Sequence, residues 1–159
     1  MKKLFVIGLI TGLLYACSGG AGANHTDEDK NSDEAKEISD AKPAYDPHRG
    51  EGKFDHVDVS PTLNAAMADA GKKIYDIKCS ACHKLTNEKL VGPGWSGVTK
   101  KLSPEWIMNF ITNPDAMIDK DPEAQAQLEI CLVRMPNQNL TDEDARNIYE
   151  FMRKNDDVK

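Results

Sequence analysis

Two cysteines and a histidine, in Cys79-Ser80-Ala81-Cys82-His83, are the residues whose spacing points most directly to chemistry in this chain. Cys-x-x-Cys-His is the signature for covalent haem attachment. Two thiols three residues apart on one turn can reach the two vinyl groups of one porphyrin. The histidine that follows then lies beneath the iron and serves as an axial ligand, while the thioethers prevent dissociation. Two other chemistries use such a cysteine pair, a redox dithiol and half of a zinc site. A thioredoxin-like dithiol wants a βαβ setting, and the flanks here read as helix. A zinc site wants a second ligand pair, and the sequence holds no other Cys-x-x-Cys and no His-x3–5-His.

The iron needs a second ligand from elsewhere. Met135, in Arg134-Met135-Pro136-Asn137, sits between two expected helices, where a loop can present its side chain. A thioether is a soft ligand that favours Fe(II), so Met/His ligation raises the potential. Met117 is also read in a loop and is the runner-up. Met67, Met108 and Met152 fall at helical positions and read as core filler. The other histidines, His25, His48 and His56, all precede the expected domain, which disfavours ligation by two histidines.

The elements that must position these groups read as helices, with no strand alternation. The first spans 63–78. Ser103 caps a second, with Pro104 at its first position and Trp106, Ile107, Phe110 and Ile111 at helical spacing. It stops before Asn113-Pro114. Asp121-Pro122-Glu123 repeats the start signal for a third helix through Cys131. Thr141, followed by three acidic residues, opens the last, with Ile148, Phe151 and Met152 on or beside its apolar face. Loops rich in Gly and Pro fill 86–99 and 134–140. Cys131 reads as a small buried hydrophobe.

The N-terminal segment is a different kind of sequence. Lys2 and Lys3 precede an apolar run, residues 4–14, too short to span a bilayer. It ends in Leu14-Tyr15-Ala16-Cys17, so residues 1–16 are read as an export signal of the lipoprotein type. Cys17 is the expected lipidation site, and ordinary cleavage nearby is the alternative. Residues 17–60 are expected to form a flexible acidic tether, with 54–59 resting on the domain. Positions 18–60 hold 11 acidic and 5 basic residues, a net of −6, too polar to offset ordering entropy. Residues 61–159 hold 15 acidic and 13 basic residues and form the expected domain. The whole chain, at net −6, lacks the basic stripe of a nucleic-acid binder. Four cysteines so spaced make no disulfide framework.

Residues 67–153 resemble a class I cytochrome c domain in the order of their parts: helix, Cys-x-x-Cys-His, Gly-Pro loop, middle helices, Met-Pro loop, last helix. The resemblance implies an all-α domain around one covalent haem c, preceded by a disordered tether. It implies that Gly71 and Tyr75 lie where the last helix crosses the first, opposite Ile148 and Phe151. It implies that the Pro93 carbonyl, in Val91-Gly92-Pro93-Gly94-Trp95, accepts the proximal imidazole N–H. Trp95 is expected to cover a haem edge. Trp106 resembles an aromatic whose N–H reaches a haem propionate, with core packing as its other reading.

With protein ligands on both sides of the iron, no position is left for a substrate. The expected function is one-electron transfer on the periplasmic side of a membrane, in a respiratory chain, with transient redox protein partners and delivery to a terminal reductase or oxidase. No catalysis, small-molecule substrate or nucleic acid is expected. The rival reading is a haem enzyme or a gas or redox sensor with a labile sixth ligand. Lys72, Lys73, Lys78, Lys84, Lys89, Lys100 and Lys101 crowd the haem-binding segment, as a candidate docking patch for acidic partners or an ordinary solvated surface.

Overall fold

The computed structural model describes residues 45–159. Among them are six helices: α1 (Ala65–Lys78), α2 (Val98–Lys101), α3 (Pro104–Thr112), α4 (Pro114–Lys120), α5 (Pro122–Cys131) and α6 (Asp142–Asn155). Extended pairing among the described residues is limited to one isolated bridge, His83 with Lys89.

Local sequence sets most of the helix starts. The side chains of Asn64, Ser103 and Asp121 accept backbone N–H groups from the first turns of α1, α3 and α5. Such caps satisfy donors that a helix start otherwise leaves orphaned. Thr141 and Asp144 form a reciprocal capping box at α6. Three helices, α3, α4 and α5, begin with proline, whose missing N–H costs nothing there.

The first and last helices cross, and this crossing organises the core. A Cβ on Gly71 would lie 2.0 Å from the Asn147 carbonyl oxygen, so only glycine lets the backbones come this close. Tyr75 packs beside the gap, its ring 5.4 Å from that of Phe151, and Ile148 is fully buried. The crossing is locked by Glu150, whose carboxylate accepts the Asn64 N–H at 2.7 Å and pairs with Arg146 at 2.6 Å and Arg153 at 2.7 Å. Burial alone would raise the Glu150 pKa; the Asn64 N–H and the two arginines outweigh it and hold the acid below its usual range. Asp156, just past α6, accepts the backbone N–H groups of Gly97 and Thr99, tying α2 to the end of α6.

Two expectations are corrected. Residues 45–60, expected to belong to the tether with only 54–59 resting on the domain, lie along it as a strap from Tyr45 on. Asn109 is fully buried. It accepts the Phe54 N–H at 2.9 Å and donates to the carbonyls of Arg49 and Phe54. Val57 N–H reaches Glu105, and Phe54, Val57 and Val59 pack on the core. The strap is polar in sequence, but its backbone groups find partners on α3, which offsets the cost of ordering it. Second, Met117 lies on a helix, α4, with no exposed surface, and its sulfur accepts the Glu51 N–H at 2.9 Å. The pair Asn113-Pro114 ends α3 and starts α4 at once.

Candidate functional site

The attachment motif follows directly from the end of α1. Cys79 caps that helix, and one tight turn returns the N–H groups of Cys82 and His83 to the Cys79 carbonyl at 3.0 and 2.9 Å. Cys79, Cys82 and His83 therefore share a single turn. The Tyr75 hydroxyl donates to the His83 carbonyl at 2.6 Å. The loop after the motif folds back on it, with Gly92 N–H on the Cys82 carbonyl at 2.9 Å and Trp95 N–H on the Lys84 carbonyl at 2.9 Å.

That return brings Pro93 to the histidine. Its carbonyl oxygen lies 2.8 Å from His83 Nδ1. A carbonyl only accepts, so Nδ1 carries the proton and Nε2 keeps its lone pair. Burial pushes the imidazole pKa down, against the opposing pull of the Pro93 bond, which favours the neutral ring that a metal requires. Gly92 is pressed against the imidazole; a Cβ there would meet His83 Cε1 at 2.4 Å. Trp95, 6% exposed, stands 5.6 Å from the His83 ring and 4.9 Å from Tyr75.

Three apolar cavities open around this turn, of about 280, 70 and 40 Å³. His83 and Met135 line all three. Trp95, Trp106 and Phe110 wall the largest. Both attachment cysteines line the smallest, and Cys82 also lines the second. The runner-up sulfur of Met117 is spent in the core, and His48 and His56 line none of these cavities. Two thiols, an imidazole with a free Nε2, a thioether and apolar walls are the donor set and lining that a covalent haem requires. The rival uses fit less well. Burial pushes the Cys79 thiol up to about 11, the reverse of the lowered pKa of a redox dithiol. Among the described residues no cluster of three or more His, Cys, Asp or Glu is placed to hold a metal ion.

Trp106 departs from the reading that its N–H reaches a propionate. Its indole Nε1 donates to Asp121 at 3.0 Å, although the ring still lines the large cavity. Sequence reasoning missed Asp121 in this role: Asp before Pro announces a helix cap, and nothing local announces a second task. Cys131, expected buried, is half-buried at the end of α5 and lines the cavity with Cys82. The lysine group is weakened as a patch, because Lys72, Lys84 and Lys101 pair with Asp76, Glu88 and Glu123. Cys17 and the export signal lie outside the described residues. No helix among the described residues is long and apolar enough to cross a membrane.

Residues 68–156 match the family model for cytochrome c. The chain belongs to the cytochrome c family, and its helical domain is of the class I type. It is similar to the solved cytochrome c from Rhodothermus marinus, at 32% identity and a TM-score of 0.65, over 67% of this chain and 90% of that one. An engineered form of that cytochrome, Rma TDE, matches at 31% identity and a TM-score of 0.64, over 67% and 91%. The cofactor is covalent haem c, and the family function is electron carriage between transient redox partners.

Proposed function

We propose that the chain is an exported, lipid-tethered carrier that passes single electrons along a respiratory chain on the periplasmic side of a membrane, to a terminal reductase or oxidase. In this reading His83 and Met135 would hold the haem iron, Cys79 and Cys82 would bond the porphyrin, and Cys17 would carry the lipid. When bound, haem c supplies a one-electron iron couple. The observation that carries the ligand assignment is that His83 and Met135 line the same three cavities, two of them with an attachment cysteine.

The chain's own residues then do the following. Pro93 fixes the His83 tautomer and ring plane, and strengthens it as a donor. Met135 favours the reduced state through its soft sulfur. Trp95, Trp106 and Phe110 give the cavity apolar walls, which would limit solvent rearrangement on electron transfer. With His83 and Met135 both holding the iron, no open position would remain for a substrate, which supports a carrier over an enzyme. The export and anchor assignments are supported by the charged start, apolar run and Cys17 of the sequence.

Met135→Ala tests the assignment. The variant is expected to keep its covalent pigment, lose the far-red band of methionine-ligated ferric haem and bind carbon monoxide when reduced. Its potential is expected to fall on the order of 0.1 V, within the ~0.8 V that axial ligands span. An unaltered band and potential would remove Met135 from the iron and with it the carrier reading.

A further inference from the structure

The strap precedes the span that matches the family model, yet its first described side chain reaches a buried charge. The Tyr45 hydroxyl donates to Asp121 Oδ2. The same oxygen accepts the Trp106 indole N–H at 3.0 Å, and Oδ1 accepts the Ala124 N–H at 2.8 Å. Asp121 is 1% exposed, and three donors face it, an arrangement that a carboxylate satisfies at its lone pairs. Lys120 beside it pairs with Glu51 at 2.9 Å. Burial, then the Asp121 contact, hold the Tyr45 phenol well above its ordinary range, so it remains a donor. On the far side Trp106 lines the large cavity with His83 and Met135 and stacks on Phe110, a second wall residue, at 5.1 Å.

We propose that Tyr45, Asp121 and Trp106 form a relay through which the strap sets the reduction potential of the haem. The inference rests on the haem being held at His83 and Met135. Asp121 touches no ligand; it acts as a positioning residue that fixes the Trp106 indole in the wall and keeps a negative charge one hydrogen bond behind it. Inside a protein such a charge is poorly screened. It favours the more positive oxidised iron and so lowers the potential. The Tyr45 hydroxyl disperses part of that charge. Removing the charge and removing the hydroxyl therefore push the potential in opposite directions.

The test is a spectroelectrochemical titration of the full-length haem-loaded protein. Asp121→Asn keeps the shape of the side chain and is expected to raise the midpoint. Tyr45→Phe is expected to lower it by a smaller amount. A purely structural role would lower the melting temperature of both variants without displacing their midpoints in opposite senses, and that result overturns the relay. The far-red band separates the two assignments: its absence in the parent protein would undo methionine ligation, whereas unmoved midpoints with the band intact overturn the relay alone. Should Asp121→Asn fail to mature, Tyr45→Phe decides, and a midpoint equal to the parent's overturns the proposal.

Discussion

The wall that carries His83 comes from one stretch, residues 79–95, whereas the wall that carries Met135 gathers side chains from α3, α5 and the segment between α5 and α6. The first is held by backbone hydrogen bonds up to eleven residues apart, and by the Pro93 and Tyr75 bonds to His83. The second hangs on longer reaches. Arg134, beside Met135, pairs with Asp115 at 3.0 Å and Asp119 at 2.7 Å, all three side chains being well exposed. Exposed pairs of this kind are screened by water and hold a loop only weakly. One proposed ligand, His83, thus sits in a turn tied by backbone bonds, and the other, Met135, in a loop held by exposed ion pairs that is cheaper to move.

Three substitutions sharpen or break that contrast. The largest effect is expected from His83→Ala, which removes the imidazole built into the tied turn; cells should accumulate little or no covalent haem protein, read by haem staining after denaturing electrophoresis. Retention of normal haem levels would deny the proximal turn its leading role. Next, Gly92→Ala should drive a methyl group into the imidazole and cost about 1–3 kcal/mol, seen as a lower melting temperature of the haem-loaded protein. The smallest effect is expected from Arg134→Ser, which removes two solvent-screened pairs, read as a slightly earlier urea midpoint for the disappearance of the far-red band while global unfolding moves less. If Arg134→Ser proved costlier than Gly92→Ala, the ranking of the two walls would be reversed.

The same contrast explains what the sequence disclosed. Ser103-Pro104, Asp121-Pro122 and Thr141 announce α3, α5 and α6 because a cap is a contact between near neighbours. Gly71 and Tyr75 against Ile148 and Phe151 were legible through the resemblance, and the crossing is there in the structure. Only the 54–59 end of the strap was legible; residues 45–53 were not, since their order depends on partners far along the chain, such as Asn109 for the Arg49 carbonyl and Met117 for the Glu51 N–H. The α4 helix was hidden because Asn113-Pro114 reads as a stop. Met117 and Met135 looked alike until the fold put one sulfur on a backbone N–H in the core and the other side chain at the cavity. The Trp106 N–H had a family-like destination in sequence, and the acceptor that takes it lies fifteen residues on.

The crossing of α1 with α6 also fixes an order of events. Asn147, which Gly71 must admit, lies 76 positions later in the chain, so the clasp closes only after nearly all of the polypeptide is present. The two thiols at 79 and 82 precede that closure by most of the domain's length. They therefore lie on the near side of this long-range closure, which joins residues 76 positions apart and adds to the contact order of the fold.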